Sequence, residues 1–249
     1  MTKKKSSSEK AGKGPAKEAK APQKEATPEQ KEMAAKAKDM ETAIYALKFY
    51  PVAVNEHSKD EAVAKLERVY REGNETVRQM LLYMIHENLA GSMELKIMHT
   101  QEYFRMKNPS LQAPQHRMNV YRAIFNYNTS LEGLAEMISF LGRLHGDDAA
   151  KLLTYHYSFL CSVENEAVHV LRAAILEALG ASESKYALTA LLAYARYTDS
   201  ERTFNRVVSA LIEWEGRLDK LNLPEKEKQD ILGKLKEIIT SEFRGSHYG

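Results

Sequence analysis

The chain has 249 residues, 43% of them hydrophobic, with 36 basic and 34 acidic side chains for a formal charge of +2, and a single cysteine. That composition can bury a core, leaves Cys161 without a partner for an intrachain disulfide, and points to a reducing, cytoplasmic setting. No apolar run reaches the roughly 18–20 residues of a membrane helix, and the opening MTKKKSSSEK has no apolar segment behind its charges, so neither a membrane span nor a secretory signal is expected.

The charge is unevenly placed. Residues 1–27 hold eight lysines and three glutamates, so the remaining chain holds 28 basic and 31 acidic residues and is slightly acidic. Residues 1–26 contain no aromatic or branched aliphatic side chain and cannot bury enough apolar surface to offset chain entropy. The segment 1–27 is therefore expected to be a disordered tail. Its Lys/Ala/Pro composition resembles the tails of ribosomal proteins and linker histones. Two roles compete for it: a solubilising tail, or an arm whose Lys3, Lys4, Lys5, Lys10 and Lys13 contact nucleic-acid phosphates.

Residues 28–245 are expected to form one helical domain. Thr27-Pro28-Glu29-Gln30 combines a capping box with proline at the first helical position. Met33, Ala37, Met40, Ile44 and Leu47 then recur at steps of four and three, until Pro51 ends the helix. Ser58-Lys59-Asp60-Glu61 reads as a second capping box, opening a helix with Ala62, Leu66, Val69 and Tyr70 inward. Gly73-Asn74 breaks it, and separate helices are predicted over 74–89 and 92–107. The loop 108–115 carries two prolines, and residues 116–128 are helical again. Thr129-Ser130-Leu131-Glu132 reads as a third box, before Leu134, Met137, Ile138, Leu141 and Leu144. Gly146 turns the chain into a helix ending at Cys161. Further helices cover 165–180 and 200–218, and a terminal helix of about 224–243 caps the array. About eleven helices result.

Shifting residues 164–180 by 36 positions superposes Val168 on Phe204, Leu171 on Val207, Ala174 on Ala210, Ile175 on Leu211 and Gly180 on Gly216. A fixed period of this length with helical spacing inside it marks stacked helix pairs. The junctions Glu75-x-Val77-Arg78 and Glu166-x-Val168, with Arg172-Ala173-Ala174 and Ala178-Leu179-Gly180 following the second, resemble the turns of HEAT repeats over roughly 60–218. That resemblance implies an all-α, right-handed α-solenoid of about five antiparallel helix pairs. It also implies a concave side lined by the second helix of each pair, here Arg78 and His86, His169 and Arg172, and Arg202, Asn205 and Arg206.

Catalytic patterns are missing. His86-Glu87 lacks the second histidine of a zinc-protease helix, and Glu166-x-x-His169 occurs once rather than in the paired form of di-iron bundles. Cys161 follows Phe159-Leu160 and reads as a small buried hydrophobe, and His156 as a half-buried core residue. Tyr155, Tyr157, Tyr194 and Tyr197 read as core-edge residues. The expected function is a non-enzymatic scaffold, without cofactor or metal, that binds a protein partner in a helical-repeat groove. The alternative is a nucleic-acid- or ribosome-associated protein anchored by the tail. A remote third is a HEAT-like DNA glycosylase, a class that uses a basic, Trp-rich concave face, whereas this chain has only Trp214.

Overall fold

The computed structural model describes residues 27–106, 130–161, 166–198 and 200–242. The tail lysines, the loop 108–115, the helix expected at 116–128 and Phe243 lie outside the described residues. Among those described, every regular element is helical. They are α1 (Pro28–Lys48), α2 (Glu56–Glu72), α3 (Glu75–Met106), α4 (Leu131–Arg143), α5 (Asp147–Cys161), α6 (Glu166–Ala181), α7 (Lys185–Tyr197), α8 (Glu201–Glu215) and α9 (Glu225–Ile239), with a short 3₁₀ turn at Leu218–Lys220.

Helix starts follow local capping chemistry. Thr27 and Gln30 form the expected reciprocal box. The second start is corrected: Asn55, not Ser58, caps α2, its side-chain oxygen accepting the Ser58 N–H at 2.9 Å. The third is corrected likewise. Ser130 caps α4, accepting from the Gly133 N–H at 2.8 Å while its own hydroxyl donates to the Tyr50 carbonyl at 2.6 Å. In both cases several polar residues near the start could act as the cap, and the one whose oxygen reaches the third helical N–H does so. The separate helices predicted over 74–89 and 92–107 are one continuous helix, α3, of 32 residues. A lone glycine costs a helix interior only about 0.5–1 kcal/mol, so Gly91 does not break it.

The helices pack in two files. In one, α1 rests on α4, α4 on α6 and α6 on α8; in the other, α3 contacts α5, α5 contacts α7 and α7 contacts α9. Sequential neighbours α4/α5, α6/α7 and α8/α9 also pack together, joining the files. The apolar positions chosen from spacing are the interior: Met40, Ile44, Leu47, Leu66, Leu134, Ile138, Leu141, Leu171, Ile175, Val207, Leu211 and Leu235 are all buried.

Close crossings depend on small residues. A Cβ added to Gly142 in α4 would lie 2.6 Å from the Ala178 carbonyl oxygen of α6, and one added to Gly180 in α6 would lie 2.9 Å from the Ala210 Cβ of α8. These glycines expose a further echo. Shifted by 38 residues, the buried positions Met137, Ile138, Leu141 and Gly142 of α4 fall on the buried Ile175, Leu176, Leu179 and Gly180 of α6. With the same shift, Ala149, Ala150 and Leu153 of α5 fall on Ala187, Leu188 and Leu191 of α7. The sequence reading found only the later, 36-residue copy.

Candidate binding surface

The last turn of a helix leaves its carbonyls without intrahelical donors. Three arginines from later in the chain fill this role. Arg78 Nε donates to the Tyr70 carbonyl at 2.9 Å and a terminal nitrogen donates to that of Arg71 at 3.3 Å, at the end of α2. Arg172 donates twice to the Leu160 carbonyl of α5, at 3.2 and 2.6 Å. Arg217 bonds the Gly180 and Ala181 carbonyls of α6, and its guanidinium lies 5.1 Å from the Trp214 ring centre. A cation also complements the negative end of each helix.

These contacts place the residues of the expected concave stripe. Arg78 and Arg172 are half-buried, and their guanidinium groups hold helix ends. Arg206 pairs with Glu177 at 3.2 Å between α8 and α6, while Arg202 and Asn205 stand exposed on α8 and His169 is half-buried on α6. His169, Arg172, Arg202, Asn205 and Arg206 thus belong to the α4/α6/α8 file. Arg78 and His86 belong to α3, and His86 faces α5. Helix α3 itself contacts α4, α5 and α6.

On α3 and α5, His86 Nδ1 lies 3.3 Å from His156 Nε2. His156 is buried, and burial, helped by the neighbouring His86, pushes its pKa down to about 4. Neutral imidazoles can share one proton as donor and acceptor, so this pair suits the uncharged state. Tyr155 meets the His86 ring edge-on with centres 5.4 Å apart.

Exposed aromatic side chains stand on these two helices and on α7. Tyr83 on α3, Tyr155 and Phe159 on α5, and Tyr186 and Tyr197 on α7 are all exposed, on helices that pack in succession. This corrects the core-edge reading of Tyr155 and Tyr197; Tyr157, buried, and Tyr194, half-buried, stack inward with ring centres 4.4 Å apart. Cys161 is also corrected, being exposed at the end of α5 rather than buried. The cause is helical phase. With Ala149, Ala150, Leu153, His156, Tyr157 and Leu160 inward, Tyr155, Phe159 and Cys161 must point outward. That phase was available in the sequence, and the apolar character of Phe159-Leu160 concealed it.

A second feature lies where the α2–α3 and α4–α5 turns meet. A cleft of about 600 Å³ is lined by Glu67, Tyr70, Arg71, Arg78, Arg143, Leu144, His145 and Ala181. A smaller one of about 240 Å³ shares Tyr70, Arg78 and His145 and adds Glu75, Gln79, Gly146, Asp147 and Asp148. Sequence reasoning picked out neither Arg71, Arg143 nor His145; the only signal was a basic residue just before each of two turns.

Among the described residues no group of three or more His, Cys, Asp or Glu side chains could hold a metal ion, and no helix is long and apolar enough to cross a membrane. Trp214 is fully buried. Comparison with family models, curated proteins and solved structures finds no match to this chain.

Proposed function

We propose that the chain is a helical-repeat scaffold, an α-solenoid of HEAT-like pairs, that binds a protein partner through the aromatic face of α3, α5 and α7. One observation carries the reading: five exposed aromatic side chains stand on three helices that pack side by side. Rigid tyrosines and phenylalanines supply large contact area at low entropic cost, and they are enriched where proteins meet proteins. The succession of contacts from α4 to α6 to α8, with the 38- and 36-residue echoes, supports the repeat architecture.

The occupant is a protein segment offering apolar side chains to these rings. The test is capture by the full chain and by the combined variant Tyr83→Ala, Tyr155→Ala, Phe159→Ala, in the presence of nuclease. A protein retained by the parent, lost by the variant and rebound as a purified component is the expected result. Equal capture by both ends the reading.

The second reading, a nucleic-acid or ribosome association through the tail, is supported by the concentration of eight lysines in residues 1–27. It requires RNA or DNA binding that falls steeply with salt and disappears when those residues are deleted.

A further inference from the structure

The body of the chain beyond residue 27 has more acidic than basic residues, yet the wall of the larger cleft reverses that balance. Arg71, Arg78 and Arg143 face it against a single carboxylate, Glu67, which lies within ion-pair distance of none of them. The guanidinium groups of Arg71 and Arg143 are exposed and have no hydrogen-bond or ion-pair partner among the described residues. Arg78 is held rigidly at the base by two backbone carbonyls and lies 5.8 Å from the Tyr70 ring centre. Those acceptors are neutral and supply only the partial negative charge of a helix end, while the carboxylates of Glu75, Asp147 and Asp148 line the smaller cleft on its other side. His145 stands at the lip, its Nδ1 3.9 Å from Glu183.

We propose that this cleft binds a phosphate monoester carried on a segment of the protein partner, with Arg78 as the fixed floor and Arg71 and Arg143 closing from either side. The inference rests on the scaffold reading above. Planar guanidinium groups suit the oxygens of a phosphate, and a concave wall of one sign concentrates its field on a compact anion. A nucleic-acid strand fits less well. Beyond the cleft its phosphates would run past Glu75, Asp147, Asp148 and Glu183, and of the two rings in the lining Tyr70 already has Arg78 over it while His145 lies beside Glu183.

The experiment uses the full chain and fluorescence anisotropy, with a labelled degenerate peptide pool carrying phosphoserine at its centre and the same pool carrying serine. The phosphoserine pool is expected to bind at least about tenfold more tightly, the ratio that one or two charge-assisted hydrogen bonds supply. The double variant Arg71→Gln, Arg143→Gln should reduce it to the level of the serine pool with an unchanged thermal melt. The aromatic-face variant should leave the discrimination intact, which separates failure of this inference from failure of the scaffold reading. Equal binding of the two pools, or a double variant that binds like the parent, overturns it. Inorganic phosphate competing as tightly as the peptide pool, or a short single-stranded RNA whose binding alone depends on Arg71 and Arg143, overturns the assignment to a protein segment.

Discussion

Helices α6 and α8 are near copies in pattern and unlike in circumstance. Leu176 of α6 is 1% exposed, while Ile212, its counterpart 36 residues later, is 53% exposed. Gly180 is pressed against Ala210, while an added Cβ on Gly216 would meet nothing within 4 Å. The reason is position: α6 is flanked by α4 and by α8, whereas α8 has α6 on one side and no further helix of its file among the described residues. Matching apolar spacing therefore does not fix burial; the helices packed on either side decide which positions carry stability.

The sharpest way to break that contrast is truncation. Leu176→Ala should lower unfolding free energy by about 2–5 kcal/mol and Ile212→Ala by no more than about 0.5 kcal/mol, read from urea titrations. Equal losses would show that α8 is covered on its outer side in solution.

The next effect is acidic and belongs to the other file, where His156 of α5 corresponds at 38 residues to Tyr194 of α7. The folded-state pKa of His156 is about 4 against an ordinary value of 6.5, so the unfolded chain binds the extra proton first. Its contribution is fully present above pH 6.5 and is lost as pH falls from there toward 4, an effect of about 3 kcal/mol. Urea titrations between pH 7.5 and 4.5 should show this loss in the parent, and much less of it in His156→Gln.

Smaller again is the glycine pair. Gly180→Ala forces a methyl into the Ala210 crossing and should cost about 1–3 kcal/mol. Gly216→Ala, in open space at a right-handed backbone angle, should be neutral or gain about 0.5–1 kcal/mol. The smallest effect lies in the link between the two helices. Arg206→Ala removes the exposed Glu177 pair and should change thermal stability by less than about 0.5 kcal/mol.

Much of the architecture was legible because helices announce themselves through caps and apolar steps of three and four. The breaks at Pro51, Gly73 and Gly146 all fall between helices of the structure. Boundaries were less legible where several side chains competed, as Asn55 did with Ser58, and where one glycine had to be weighed against a long helix. The candidate surface was the least legible part. Arg78 and Arg172 look like surface cations in sequence, yet they hold carbonyls eight and twelve residues earlier in the chain. Tyr155 reads as a core-edge residue until the phase of α5 is fixed by its partners.

The sequence by itself determined that this chain is helical, where most helices begin, and which side of each is apolar, since capping and amphipathic spacing act within a few residues. Only the tertiary structure decided which helices share a file, that His86 of α3 meets His156 of α5, and that Arg71, Arg78 and Arg143 line one cleft. Those outcomes depend on contacts between residues tens of positions apart, for which the local pattern carries no address.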